Sequence, residues 1–126
     1  MKRVMMQVYA SDAAAAIDLY KRAFDARLLE IHYTPEGGVF HSELDVDGQI
    51  LSVTDRDAVD GPTDITGNVM QYCLHFDQGM EAFVSKAYEA LRENGVVRFP
   101  LGPCVFSPCM TDIVDGFGVR WCLFTA

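Results

Sequence analysis

Two stretches of this chain repeat each other at a fixed offset of 65 residues, pairing Met5 with Met70 and Asp12 with Asp77. The first, Val4-Met5-Met6-Gln7-Val8-Tyr9, alternates as a strand and runs through Ser11-Asp12, an N-cap pair, into the helix-forming run 13–24 with Ile17, Tyr20 and Phe24 at helical spacing. The second, residues 69–76, reads as a strand before a helix over 80–94 that Gly95 ends. A strand-then-helix unit that occurs twice in 126 residues fixes most of the architecture, because a chain this short can bury only one sizeable core or two similar halves of one.

Each repeat continues with three more strands. In the first half these are 28–33, the alternating run 39–46 after the turn Pro35-Glu36-Gly37-Gly38, and 49–54 after Asp47-Gly48. In the second half 96–100 is a short strand, a Gly/Pro-rich stretch follows, and strands at 110–114 and 119–125 flank the turn Asp115-Gly116-Phe117-Gly118. The expected fold is α+β, two tandem βαβββ modules forming a curved mixed sheet. One domain over 1–126 is predicted, with module one at about 1–55, a connection at about 56–67 and module two at about 68–126.

Charge narrows the partners. A net charge of −8 with ten scattered Lys and Arg argues against nucleic acid and against an anionic membrane surface. No run approaches the roughly 20 apolar residues that span a bilayer, and the basic start Met1-Lys2-Arg3 leads into alternating residues rather than a signal core. A cytoplasmic protein is expected. Cys73, Cys104, Cys109 and Cys122 lack zinc-ligand spacing and read as reduced thiols.

The pieces Ala16-Ile17-Asp18-Leu19-Tyr20-Lys21-Arg22-Ala23-Phe24, Glu43-Leu44-Asp45-Val46-Asp47-Gly48 and Thr111-Asp112-Ile113-Val114-Asp115-Gly116-Phe117-Gly118-Val119-Arg120-Trp121 resemble the glyoxalase/bleomycin-resistance, or vicinal oxygen chelate, superfamily, and within it the PhnB-like branch. The resemblance implies a U-shaped sheet, a homodimer and, in metal-using members, four ligands: a His or Gln on the first strand of each module and a Glu or His on the last. Carried onto this chain those positions are Met5, Met70, Ser52 and Cys122. Two thioethers, a hydroxyl and a thiol are poor donors for a hard or borderline cation. The set could take Cu(I), but core methionines are the commoner meaning; no metal and no cofactor are expected.

Alternation assigns Met6, Val8, Phe40, Leu44, Leu51, Val53, Trp121 and Leu123 to the helix side. Met5, Gln7, His41, Glu43, Ser52, Met70, Tyr72, Cys122 and Phe124 then line the concave face. That polar and aromatic mixture suits a small organic ligand, with Phe106 as a further stacking surface. His41 and Glu43, two apart on one strand face, are the candidate catalytic pair, a base and its orienter or, with Gln7, a relocated metal site. His75 is expected beside the second helix, His32 in solvent, Asp112 and Asp115 as turn formers, and Arg120 pointing away from the cavity. The favoured function is binding of a small organic molecule in the cleft without the usual divalent metal. The alternatives are a metal-dependent or acid–base lyase, isomerase or oxygenase using His41, Glu43 and Gln7, and a regulatory or interaction module with a vestigial cleft.

Overall fold

The computed structural model describes residues 1–58 and 70–126. Most of the connection expected at 56–67 lies outside those residues; its start, Arg56–Ala58, is a single 3-10 turn. The chain divides into two compact units, Met1–Thr66 and Gly67–Ala126.

Unit one runs β1 (Met6–Ala10), α1 (Ala13–Phe24), β2 (Arg27–Tyr33), β3 (Val39–Val46) and β4 (Gln49–Asp55). Its sheet has the order β1-β4-β3-β2, with β1 parallel to β4 and the other pairs antiparallel. α1 starts where the side chain of Asp12 accepts from the amide of Ala15 at 3.1 Å. Asp25, left-handed at φ 51°, ends it. Ala16, Ile17, Leu19, Tyr20, Ala23 and Phe24 are buried on one helix stripe, and Val8, Leu44, Leu51 and Val53 give the sheet the apolar face that such a stripe needs. Asp55 locks the far corner: its carboxylate accepts from the amides of Ala13 at 2.7 Å and Val39 at 2.6 Å, tying the end of β4 to the starts of α1 and β3.

Unit two repeats the plan with β5 (Tyr72–Phe76), α2 (Glu81–Leu91), β6 (Val96–Cys104), β7 (Ser107–Val114) and β8 (Arg120–Thr125), ordered β5-β8-β7-β6. The α+β class with two βαβββ modules is therefore the observed one, as two four-stranded mixed sheets. The stretch 101–109, expected to be irregular, is instead the hairpin end of β6 and β7, closing at Cys104↔Ser107. Pro100 and Pro103 are accommodated because β6 is an outer strand whose pairing shifts register three times, and an outer or bulged strand can spare the amide that proline lacks. Phe40 departs from its expected core place; it lies at the start of β3 and is 56% exposed.

Candidate functional site on the open sheet faces

The ladder registers assemble the sheet face opposite α1 row by row. Gln7 pairs with Ser52, Ser52 with Glu43, and Glu43 with Glu30, so these four side chains share a row across all four strands. The neighbouring row contains Tyr9 beside Thr54 and His41 beside His32. The structure thus brings Gln7, His41, Glu43 and Ser52 together, as alternation predicts, and adds Glu30, His32 and Thr54.

Polar groups on this face satisfy one another, as burial requires. Ser52 is fully buried; its hydroxyl donates to the carbonyl of Ser42 at 2.7 Å and stands 3.4 Å from Nδ1 of His41. Gln7 donates through Nε2 to Thr54 Oγ1 at 2.9 Å and to its neighbour's carbonyl at 3.2 Å, so its amide nitrogen faces the strand network. Arg3 closes a 2.8 Å ion pair on Glu43 Oε1, while Glu43 Oε2 lies 3.5 Å from His41 Nε2. Glu30 reaches toward both histidines, 4.0 Å from His41 and 3.6 Å from His32. The Glu43 carboxyl is held below its ordinary range by hydrogen bonding to Glu30, against the opposing effect of burial, with Arg3 and His41 adding to the lowering.

In unit two the same face reads differently. Tyr72 pairs with Trp121, Cys73 with Cys122 and His75 with Phe124. Partners on parallel strands point the same way, so Tyr72 shares the face of the fully buried Trp121, 5.3 Å away between ring centroids, and does not join Cys122 and Phe124. His75 is the reverse case: it is exposed and stacks on Phe124 at 4.4 Å, on the open face. Phe106 meets Phe124 edge-on at 5.2 Å.

Both corrections have one cause. Ser52 and Cys122 stand four residues after Gly48 and Gly118 and are counterparts, so their ladder partners Gln7 and Cys73 are counterparts too. That offset is 66, not 65, and a slip of one residue moves every side chain of a strand to the other face. The counterpart of Met5 is therefore Gln71. Met70 precedes β5 and is 78% exposed.

Two further residues leave their expected places. Arg120 joins the open face by alternation with Cys122 and grips Asp112 through Nε at 3.0 Å and Nη2 at 2.7 Å; Gln71 donates to the same carboxylate at 2.9 Å. Asp112 is thus a mid-strand anchor rather than a turn former. Asp115 is the turn former: buried, it accepts from the amides of Phe117 and Val119 and from the indole of Trp121.

The family positions hold one side chain of the family's ligand types, Gln71, whose amide nitrogen is held to Asp112. Met5 and Ser52 in unit one, and Gln71 and Cys122 in unit two, offer a thioether, a committed hydroxyl, a carboxamide held to Asp112 and a thiol. Burial, followed by neighbouring Cys73 and Asp112, pushes the Cys122 thiol up to about 11, so it stays protonated and neutral. No group in that set carries the charge that a hard cation selects.

A sheet and helix plan of this kind, twice over, defines a class. The model of the Glyoxalase/Bleomycin resistance protein/Dioxygenase superfamily matches residues 2–123, and the chain belongs to that superfamily. Its fold is shared with the PhnB protein of Bacillus cereus, at 22% identity and a TM-score of 0.81 over 99% of this chain and 100% of that one. It is also similar to PA1353 of Pseudomonas aeruginosa, at 19% identity and a TM-score of 0.74 over 98% of each chain. The fosfomycin resistance protein FosX of Listeria monocytogenes, solved with Mn(II) and a dihydroxypropylphosphonic acid, matches at 9% identity and a TM-score of 0.72, over 98% of this chain and 92% of that one. No curated protein matches the sequence significantly.

Proposed function

We propose that this protein binds a small organic molecule on the open face of its first sheet, without a metal at the family's usual positions. One observation carries the reading: Gln7, His41, Glu43, Ser52 and Thr54 converge on one sheet face around the His41 ring, where polar side chains alternate with the apolar residues facing α1. Half-buried Gln7 and His41 are the members that a ligand would meet, held in place by the buried Ser52, Thr54 and Glu43. Unit two, taken by itself, has on its own open face an aromatic surface, Phe124 with His75 and Phe106, suited to a planar group. Cys122 lines that same face beside it.

A thermal-shift screen of small organic acids, amides and aromatic heterocycles in excess EDTA tests this. A ligand that binds only the folded state at about 100 times its Kd adds about 2.7 kcal/mol of stability. The shift should shrink in Gln7→Ala and His41→Ala. A screen without shifts, or shifts indifferent to both substitutions, would reject the site.

The His41–Glu43 geometry also favours a second reading, acid–base chemistry of the lyase, isomerase or oxygenase type. A carboxylate kept anionic beside Nε2 stabilises positive charge on the ring as it takes a proton. Turnover abolished in His41→Ala with ligand binding retained would support it. We further propose a cytoplasmic homodimer. The four thiols are unpaired, as a reducing compartment keeps them, and Leu29, Tyr33 and Phe40 expose apolar surface on the β2–β3 hairpin that a second copy would cover. No helix among the described residues is long and apolar enough to cross a membrane.

A further inference from the structure

The β2–β3 hairpin of unit one carries a donor set distinct from the family positions. Glu30, His41 and Glu43 each offer one ligand atom, and the three atoms lie within 4.8 Å of one another. Donors held at about 2.0–2.2 Å from one cation stand roughly 3–4.4 Å apart. The separations of 3.5 Å for His41 to Glu43 and 4.0 Å for His41 to Glu30 fall inside that span. Glu30 is exposed, and a small rotation of its side chain would close the remainder.

Ser52 aims the imidazole. Its hydroxyl proton goes to the carbonyl of Ser42, so toward Nδ1 of His41 its oxygen acts as an acceptor, which favours the ring proton on Nδ1. Nε2, unprotonated in that tautomer, lies 3.5 Å from Glu43 Oε2 and 4.0 Å from Glu30 Oε1. These atoms repel one another unless a proton or a cation lies among them, and a proton shared with Glu30 or carried by His41 holds the place that a metal ion would take. Arg3 does not fill that place: it binds Oε1 of Glu43 from outside and leaves Oε2 on the His41 side. His32, 3.6 Å from the second oxygen of Glu30, braces that carboxylate from behind. Polar neighbours that orient a histidine and a carboxylate in this way are the usual support of metal ligands.

We propose that Glu30, His41 and Glu43 hold one divalent transition-metal ion, with Mn(II), Fe(II) or Zn(II) suited to one imidazole and two carboxylates. The site shares its sheet face with the proposed organic ligand but does not depend on that ligand.

Metal-stripped protein titrated with Mn(II) alone, followed by electron paramagnetic resonance, provides the test. The expected result is one ion per chain, with coupling to an imidazole nitrogen that disappears in His41→Ala. Affinity should fall roughly tenfold or more in Glu30→Gln and stay unchanged in Glu89→Gln, a control on α2. Because Glu30 is exposed, its variant carries the test even if replacing the buried Glu43 impairs folding. Binding weaker than about 1 mM, or binding that ignores both Glu30→Gln and His41→Ala, would overturn the site. The organic-ligand screen runs in EDTA, so either proposal can fail while the other stands.

Discussion

The carboxylate of Asp115 accepts a 2.9 Å hydrogen bond from the indole nitrogen of Trp121, six residues along the chain. Its other oxygen holds the amides of Phe117 and Val119, so one buried side chain shapes the last hairpin and anchors the largest core residue. Asp115→Ala leaves three donors without this partner. Since a hydrogen bond to a charged group contributes about 1.5–3 kcal/mol, equilibrium urea unfolding should show a loss of at least about 2 kcal/mol, with a smaller loss for Asp115→Glu.

Asp55 plays the matching part in unit one, where it joins three elements through the amides of Ala13 and Val39. Asp55→Ala should lower stability by about 1–3 kcal/mol and speed amide exchange at both of those residues. An unchanged melting temperature with unchanged exchange would contradict this role.

Cys73 and Cys122 are ladder partners with opposite chemistry: Cys73 is exposed, whereas Cys122 is buried and pushed up to about 11. Iodoacetamide at pH 8 should modify Cys73 well before Cys122, as mass spectrometry of the peptides would reveal. The raised value also has a stability consequence. The unfolded thiol ionises near 9.0 and the folded one near 11, so the unfolded state loses its proton first and Cys122's contribution to stability declines between those values. Cys122→Ser, lacking that titration, should flatten the alkaline limb of a stability–pH curve.

Tyr72 and Phe124 separate structure from binding. Tyr72 packs on Trp121 and Phe124 stacks on His75. Tyr72→Ala, at a half-buried position, should cost about 1–3 kcal/mol through lost packing on Trp121. Phe124→Ala should instead weaken binding of planar ligands with a smaller change in melting temperature. The reverse pattern would return Tyr72 to the open face.

Much of the fold was legible because local signals agreed with each other. Asp12 caps α1, Asp47-Gly48 closes the β3–β4 hairpin, and the alternation of 39–46 gives β3 its residues. His41 and Glu43 followed from that alternation, Gln7 from the alternation of the first strand, and Ser52 from alternation together with its place four residues past Gly48. The rest was hidden for physical reasons. Pro103 and Pro108 lie in a Gly/Pro-rich stretch that reads as irregular, yet an outer bulged strand and the hairpin end tolerate them. The repeat of methionine and aspartate suggested an offset of 65, but hydrogen-bond register, not residue identity, sets which side chains share a face. α2 illustrates the extra residue: its N-cap is Met80, with no side-chain hydrogen bond, so Asp77 does not play the part of Asp12. Glu30 escaped notice because bulges on both sides of it shift the β2–β3 register, so counting back from the turn does not give its partner. Arg3 reaches Glu43 across 40 residues of sequence, which no local pattern encodes.

Backbone amide shifts followed by NMR while a screening hit is titrated into EDTA-treated protein test the proposed binding face most directly. The largest perturbations should fall at Gln7, His41, Glu43, Ser52 and Thr54, and should be lost in His41→Ala. Perturbations confined to the helix side, or absent at every one of those five positions while the hit demonstrably binds, would contradict it.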